Sequence, residues 1–571
     1  MKNVKLTVLL FLFLGYLAAC SADSPKDDPQ KPDGPEAPPM VESGLKGSFE
    51  SKFVRYSKGQ QFAGQKDDSK VITIWKDTVW QNDRVHRQLV LWTNKRCDGL
   101  TYEVSDLVNG EKDIPSSSIR LRFPSYVMGD ANSGTCGDYE AHSTVLIADA
   151  LPETPVTTVT TTEPLKIWLT ADIPADAAPG TYSGNLVVKS GGEVQQTFKL
   201  QFLVTSHRLP PASEWGFHLD LWQFPFQLSN LCTDNGEKIT PFSDTYFSLI
   251  KPFYRLLADA GQKAITVYIK DGAFNPGQTM VKWMKKADGT WSFDYSDFDR
   301  YVSTLMSWGI NKQIDCFSLV GWNTSIGYTD SAGKPQTLKL SIGSDTYNAV
   351  WSDFLTSFRD HLKEKGWFEK TVLYMDEVKE NEMHDVVSLI HGHDASWKIG
   401  LSGSYIPSEI EGALYDYSTI LGYDRSSSNT ISTFYTSCSQ SYPNNFVTSR
   451  NNPAEMCWMA WYAKAKGFNG YLRWAYDYWT KIDPVNIQDG SNAAGDFSMI
   501  YRDGNTQSAK PVSSIRFELL REGIQDYEKV GILSDSKLNS VIQKFTTTSG
   551  GDAEKLVEAA EKLLKEISIN K

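Results

Sequence analysis

Thr371-Val372-Leu373-Tyr374-Met375-Asp376-Glu377 is the stretch that most constrains the fold of this 571-residue chain. Residues 371–375 form an unbroken run of apolar and β-prone side chains, which is typical of a strand buried on both faces. Two carboxylates follow at once, and in parallel α/β architectures functional side chains collect where strands end. Such a pair also occurs as a solvated loop or as the charged start of a helix. Its interpretation therefore depends on the rest of the chain.

Seven further strand-like runs follow Pro211 and alternate with helical patterns such as residues 247–258. In chain order, the eight predicted strands are 215–221, 264–269, 313–320, 371–375, 397–401, 419–423, 432–436 and 470–474. Eight strands with intervening helices predict a (β/α)₈ TIM barrel. An open doubly wound sheet is the alternative, but no glycine-rich dinucleotide loop follows the first strand. We therefore predict a barrel domain over residues 211–571, which includes C-terminal helices.

The region before Pro211 has a different pattern. Short strand-like runs alternate with turns, and Phe198, Leu200, Phe202 and Val204 recur at period two, as in a strand with one buried face. Helical periodicity is almost absent between residues 44 and 205. We predict a β-sandwich over residues 44–210. The whole chain is then a multidomain protein of β plus α/β class.

The N-terminus predicts export and a lipid anchor. Lys2 and Lys5 precede an apolar stretch at 6–17, and Leu17-Ala18-Ala19-Cys20 resembles a bacterial lipobox. We predict a signal peptide over 1–20, lipidation of Cys20 and a Pro- and Asp-rich flexible tether over 21–43. The mature chain would be lipid-anchored to the bacterial outer membrane, on its periplasmic face or at the cell surface. A cytosolic chain with an ordinary Cys20 is the alternative.

Composition excludes some functions. The net charge of −12 argues against general nucleic-acid binding, since few positive charges are left over to neutralise phosphates. Six cysteines besides Cys20 are widely scattered without a C-x-x-C motif, so we expect no structural zinc, and neither a metal nor a cofactor at the site. Cys97 and Cys136 lie in one predicted domain and could form a disulfide, which the sequence leaves open.

Polar and aromatic residues follow several predicted strands. Because the carboxyl ends of barrel strands meet at one mouth, we expect these side chains to surround Asp376 and Glu377. They are His218, Asp220, Trp222, Asn323, Tyr405, Trp474 and Asp477. A ring of aromatic and hydrogen-bonding groups is what a sugar-binding pocket requires. Two acids within such a ring indicate acid/base chemistry on a sugar.

Seven motifs resemble the catalytic domain of glycoside hydrolase family 123, over residues 215–533. They are HLDLWQ (218–223), FDYSDFDRYV (293–302), MDE (375–377), YTSC (435–438), PNNF (443–446), GYLRWAY (470–476) and SIRFELLREGIQDY (514–527). The resemblance implies a β-sandwich before a (β/α)₈ barrel. It also implies β-N-acetylgalactosaminidase activity on glycans.

The resemblance further implies roles for individual residues. Glu377 would protonate the glycosidic oxygen and later activate water, while Asp376 would orient the substrate's own 2-acetamido group as the nucleophile. Tyr435, Asn444 and Trp474 would contact the sugar. Two alternatives stay open: a glycosidase for another sugar that uses Glu377 with a second acid, Asp220 or Asp477, and a non-catalytic glycan-binding lipoprotein. The oligomeric state also stays open.

The motif at 514–527 lies on a predicted helix with many charges. Arg516, Glu518, Arg521 and Glu522 alternate with apolar residues at helical spacing. We predict that these four residues form ion pairs that close the barrel rather than take part in chemistry.

Overall fold

The computed structural model describes residues 44–61, 65, 67–132, 136, 143–272, 275–320, 324–405, 407–489 and 492–570. The predicted signal peptide with Cys20, the predicted tether and the predicted sugar contact Asn323 lie outside these ranges. Within them, no helix is both long enough and apolar enough to cross a membrane.

Two sheets form the predicted β-sandwich. One has the strand order Leu45–Glu50, Arg84–Thr93, Leu165–Asp172, Ile119–Arg122. The other sheet has the strand order Ile74–Gln81, Glu193–Arg208, Gly180–Ser190, Leu107–Asn109, Lys112–Ile114. A further strand, Leu100–Val104, also pairs with Gly180–Ser190. Aromatic rings fill the space between them: the Phe49 and Phe198 centroids are 5.6 Å apart, and those of Trp75 and Phe202 are 4.9 Å apart. The period-two residues from Phe198 to Val204 are buried, as the alternation predicts.

Eight parallel strands form the predicted barrel. In chain order, barrel strands 1 to 8 are His218–Leu221, Ala264–Tyr268, Gln313–Phe317, Thr371–Asp376, Lys398–Gly403, Asp416–Ile420, Ile431–Tyr435 and Gly470–Arg473. Their spatial order, 1-8-7-6-5-4-3-2, is that of a (β/α)₈ barrel. Strand 6 begins three residues before its predicted start, since the sequence pattern placed it at 419–423. Asp416 and Ser418 are buried polar residues of this strand and interrupt the apolar run on which the prediction relied.

Amide side chains close the gap between barrel strands 1 and 2. Gln262 Oε1 accepts a hydrogen bond from Leu221 N at 2.9 Å, and its Nε2 donates to Ala264 O at 2.9 Å. Gln223 Oε1 accepts from Thr266 N at 2.8 Å. Both glutamines are buried. Their amides therefore satisfy backbone groups that a regular strand pair would satisfy.

Helices cover the barrel unevenly. In the described part of the chain, the α-helices are Pro225–Leu231, Asp244–Asp259, Ser296–Ser307, Asp345–Lys365, Glu380–His393, Ala454–Lys466, Ile515–Leu533, Asn539–Ile542 and Ala553–Asn570. Among the described residues that connect strands 5, 6 and 7, the only helical segment is a 3₁₀ turn at Glu411–Ala413. The segments that follow strands 2 and 3 together form a small four-stranded sheet, in the order Trp291–Asp294, Lys282–Lys285, Ile326–Thr329, Pro335–Leu338.

The N-terminal and barrel regions share one sheet. The hairpin Ser125–Asp130 and Thr144–Leu151 leaves the sandwich and pairs with Pro511–Ser514, which pairs with Tyr501–Arg502. Backbone hydrogen bonds also join Asp130 N to Val447 O at 3.0 Å. A continuous ladder therefore fixes the hairpin on the barrel.

Buried ion pairs join the helix Ile515–Leu533 to the N-terminal region. Four of its charged residues pair across this boundary, namely Arg516 with Asp149 at 2.8 Å, Glu518 with Arg122 at 2.5 Å, Glu522 with Lys52 at 2.6 Å, and Lys529 with Asp83 at 2.9 Å. Arg521 instead lies 3.5 Å from Asp259 of the barrel. The predicted ion pairs are thus present, but most of them attach the sandwich and do not close the barrel.

Removing one partner of such a pair should destabilise the protein strongly. Burial alone would raise the pKa of Glu518, but Arg122, with His86 and Arg84, holds this pKa well below its usual value. Glu518→Gln would leave Arg122 buried without its counter-charge, so we expect the free energy of unfolding to fall by about 3–5 kcal/mol in urea titrations at pH 7. Because the folded-state pKa is depressed, this contribution is present above the unfolded-state pKa and is lost as the pH falls through the folded-state value.

The exposed pair of Lys189 and Glu103 provides the control. The Glu103 side chain is 58% exposed, so Glu103→Gln should change the unfolding free energy by less than about 1 kcal/mol. Equal, small effects of both substitutions would contradict the role given to Glu518.

Candidate active site

A cavity of ≈ 510 Å³ opens at the carboxyl ends of the barrel strands. Apart from Cys136, which belongs to the N-terminal region, its lining residues come from the ends of strands 1, 4, 5, 6, 7 and 8 and from the loops beyond them. They are Cys136, Trp222, Asp376, Glu377, Ser402, Ser404, Ile420, Tyr435, Ser437, Cys438, Ser439, Leu472, Trp474, Asn492, Asp496 and Phe497. Asp376 and Glu377 therefore lie where functional groups of such barrels are found.

The backbone at Glu377 brings both acids into this cavity. Adjacent residues of a strand point to opposite faces, but Glu377 has φ +49°, in the left-handed region. This turn ends strand 4 and lets Glu377 face the cavity beside Asp376. Ser402 of strand 5 holds the arrangement, because its hydroxyl donates to Asp376 Oδ1 at 2.7 Å and its carbonyl accepts from Glu377 N at 2.9 Å.

Tyr435, at the end of strand 7, contacts the second acid. Its hydroxyl donates to Glu377 Oε1 at 3.2 Å. Burial, with the carboxylates of Glu377 and Asp376, raises the pKa of Tyr435 well above its usual value, so the hydroxyl keeps its proton. Glu377 is solvent-exposed and Asp376 is half-buried. A ligand in the cavity can therefore reach both carboxylates, and Tyr435 holds that of Glu377 in place.

Two tryptophans form apolar surfaces of the cavity. Trp222 is buried, donates from Nε1 to Asp220 Oδ2 at 3.1 Å, and packs edge-on against Phe317 with centroids 4.8 Å apart. Trp474 is half-buried and lies 4.8 Å from Phe497, again edge-on. Faces of aromatic rings suit the apolar faces of sugars.

Three predicted sugar contacts are buried and are not among the described lining residues. Asp220 lies beneath Trp222, where burial raises its pKa. His218 is two residues earlier on strand 1, with Nε2 3.9 Å from Asp416, and burial lowers its pKa to about 3. Asp477 Oδ1 accepts from Phe224 N at 2.8 Å, and burial raises the pKa of Asp477 to about 7. Asp220 and Asp477 thus form hydrogen bonds with buried protein groups, and their positions in the sequence could not show this.

Two other predicted contacts support loops around the cavity. Tyr405 donates from its hydroxyl to Val378 O at 2.8 Å and so joins the loop after strand 5 to the residue after Glu377. Asn444 is 2% exposed. Its Nδ2 donates to Ser437 O at 2.7 Å and to Gln440 O at 2.6 Å, which braces the loop after strand 7 from behind.

The cysteine pairing links distant parts of the chain. Cys136 forms a disulfide with Cys438, 302 residues away, and Cys97 is a free thiol. The pairing of Cys97 with Cys136 that the sequence allowed is therefore not formed. Cys136 lies between the two strands of the hairpin that docks on the barrel and lines the cavity, whereas Cys97 pairs through its backbone with Val159 in the sandwich. Cysteine spacing carried no signal for this arrangement.

Three carboxylates belong to the described lining of the cavity: Asp376, Glu377 and Asp496. Asp496 is 1% exposed and forms a buried ion pair with Arg473. Asp376 and Glu377 are thus the acids that remain for a ligand. Within the described ranges, no group of three or more His, Cys, Asp or Glu residues is arranged to hold a metal ion.

Comparison with known proteins identifies relatives of this architecture. A solved family 123 glycoside hydrolase from Clostridium perfringens, studied for glycolipid glycan hydrolysis, matches with a TM-score of 0.79 and 24% identity, covering 92% of this chain and 100% of that one. A family 39 glycoside hydrolase from Bacteroides cellulosilyticus WH2 matches with a TM-score of only 0.32 and 11% identity, covering 76% of this chain and 81% of that one. No curated protein matches the sequence.

Two sequence models match the two halves of the molecule. The N-terminal domain of glycoside hydrolase 123 matches residues 49–190. The catalytic domain of glycoside hydrolase 123 matches residues 226–533, which is more than half of the chain and contains both acids of the cavity. The chain therefore belongs to glycoside hydrolase family 123.

Proposed function

We propose that this glycosidase releases β-linked N-acetylhexosamine, in particular N-acetylgalactosamine, from glycans by a substrate-assisted retaining mechanism. The proposal depends on which carboxylates of the described cavity lining are accessible to a ligand. Asp376 and Glu377 are adjacent and accessible, whereas Asp496 is held by Arg473. A retaining enzyme with its own nucleophile needs a second acid about 5–5.5 Å across the scissile bond from the first. An adjacent pair suits a reaction in which the substrate supplies the nucleophile.

Glu377 acts first as the general acid. It gives its proton to the glycosidic oxygen as the bond to the anomeric carbon breaks, and the leaving sugar departs as an alcohol. The resulting carboxylate then takes a proton from water, which attacks the same carbon. Tyr435 supports this cycle because its hydroxyl donates to Glu377 Oε1 and so fixes the direction of the carboxyl group.

Asp376 acts on the 2-acetamido group. The acetamido oxygen attacks the anomeric carbon and forms a cyclic oxazolinium ion, and water later opens this ring and restores the acetamide. A carboxylate beside the acetamido nitrogen orients the group and stabilises its developing positive charge. Ser402 supports this role because its hydroxyl donates to Asp376 Oδ1 and so fixes the direction of the carboxylate.

The rate loss caused by replacing Glu377 should depend on the leaving group of the substrate, whereas the rate loss caused by replacing Asp376 should not. Glu377→Gln removes a proton donor, so kcat/KM on oligosaccharides should fall by about 10²–10⁴-fold, and far less on an aryl glycoside whose leaving group needs little protonation. Asp376→Asn weakens support of the oxazolinium ion, so both substrates should lose rate to a similar degree. Steady-state kinetics on 4-nitrophenyl N-acetyl-β-galactosaminide and on oligosaccharides would measure this difference.

Glu369→Gln is a matched control for these variants. Glu369 precedes strand 4 at the opposite end of the barrel, and its side chain is 82% exposed, so both rates should stay at the wild-type level. Losses in Glu377→Gln that do not depend on the leaving group would exclude Glu377 as the acid. Wild-type protein that binds glycans and cleaves none would favour the non-catalytic alternative.

We also propose that the mature chain is anchored in the bacterial outer membrane through a lipid on Cys20, on the periplasmic face or at the cell surface. The lysines, apolar stretch and LAAC motif at 1–20 support this assignment. In the bacterial host, the wild type should partition into the detergent phase, while Cys20→Ala should lose the anchor. Cys97→Ser should behave as the wild type. A Cys20→Ala protein that remains equally membrane-bound would contradict the anchor.

A further inference from the structure

The disulfide of Cys136 and Cys438 is part of the active-site cavity itself. Both residues line the cavity, their Cα atoms are 4.9 Å apart, and Cys136 N donates to Cys438 O at 2.9 Å. Cys438 belongs to the loop after strand 7, while Cys136 belongs to the N-terminal region. The catalytic mouth therefore contains a residue from outside the barrel, covalently bound to the barrel loop.

The loop that carries Cys438 forms a wall of the cavity. Three consecutive residues, Ser437, Cys438 and Ser439, line it; we call them the 437–439 wall. Asn444 braces the wall from behind through Ser437 O, and Gln440 Oε1 accepts from Ser437 N at 2.9 Å. The disulfide holds the wall from the other side.

The N-terminal region is attached to the barrel six residues before Cys136. Asp130, at the end of the hairpin strand Ser125–Asp130, is fully buried. Its Oδ2 accepts from Ala494 N at 2.7 Å and its Oδ1 from Gln488 Nε2 at 2.8 Å. The chain that leads to Cys136 thus starts from a fixed point on the barrel. The disulfide therefore joins the 437–439 wall to a region that hydrogen bonds attach to the barrel.

The 437–439 wall follows the strand that carries Tyr435. It begins two residues after Tyr435, whose hydroxyl contacts Glu377, and the proposed function makes Glu377 the donor to the glycosidic oxygen. We propose that the Cys136–Cys438 disulfide is a positioning element that fixes the 437–439 wall against the leaving sugar, so that the N-terminal region helps to determine which glycan chains are cleaved. This inference rests on the proposed role of Glu377.

The double variant Cys136→Ser/Cys438→Ser tests the inference. The probes are 4-nitrophenyl N-acetyl-β-galactosaminide and the β1,3- and β1,4-linked disaccharides of N-acetylgalactosamine with galactose. We expect kcat/KM on the better disaccharide to fall by about tenfold or more, mainly through KM, while kcat on the aryl glycoside stays within about threefold. Cys97→Ser, which changes a free thiol of the sandwich, should alter neither rate.

Reduction of the folded wild type keeps the test available if the double variant does not fold. Cys136 is exposed and Cys438 is half-buried, so a phosphine reductant followed by alkylation should open this bond and reproduce the substrate-dependent loss. Equal losses on both substrates, or none on either, would overturn the inference, as would two free thiols at these positions in the exported protein. A wild type that cleaves the aryl glycoside but neither disaccharide would also overturn it. A wild type inactive on every acetamido glycoside would instead refute the proposed function.

Discussion

The left-handed turn at Glu377 is the constraint on which the site depends. Without it, strand alternation would direct Asp376 and Glu377 to opposite faces, and one of the two carboxylates would enter the layer between strand and helix. A non-glycine residue in this conformation costs on the order of 1–3 kcal/mol. Ser402 stabilises it, since one residue of the neighbouring strand binds the side chain of Asp376 and the backbone of Glu377. Local strain at this point therefore accompanies the placement of both carboxylates at the cavity.

The N-terminal region is part of the structure around the active-site cavity. Its hairpin joins a sheet with Pro511–Ser514, its charged residues pair with the helix Ile515–Leu533, and it carries Cys136 to the cavity. Buried ion pairs contribute little net stability compared with apolar contacts, but breaking one leaves an uncompensated charge. They therefore resist relative sliding of the two regions. Residues such as Asn492 and Phe497, in the segment that Asp130 holds, depend on this attachment for their position.

The barrel could be predicted because eight β-prone segments alternate with helical patterns after Pro211, and Asp376 and Glu377 could be placed at a strand end because they directly follow the apolar run at 371–375. Other features left weaker signals. Asp416 and Ser418 obscured strand 6, since this barrel has polar residues in its interior. Asp220 and Asp477 follow the expected pattern, but their buried partners, Trp222 Nε1 and Phe224 N, are set by tertiary contacts that no local pattern reveals. The left-handed conformation of Glu377, the disulfide partner of Cys438 and the contribution of Phe497 arise from tertiary contacts between residues far apart in the chain.

In the proposed mechanism, the nucleophile is the substrate's own acetamido group, which Asp376 holds in position. The most direct measurement compares kcat/KM of the wild type on 4-nitrophenyl N-acetyl-β-galactosaminide and on 4-nitrophenyl β-galactoside. A positioned intramolecular nucleophile is worth many orders of magnitude over its absence, so the acetamido substrate should be preferred by about 10³-fold or more. Comparable rates on the two substrates would contradict the claim and would favour a protein carboxylate as the nucleophile or base.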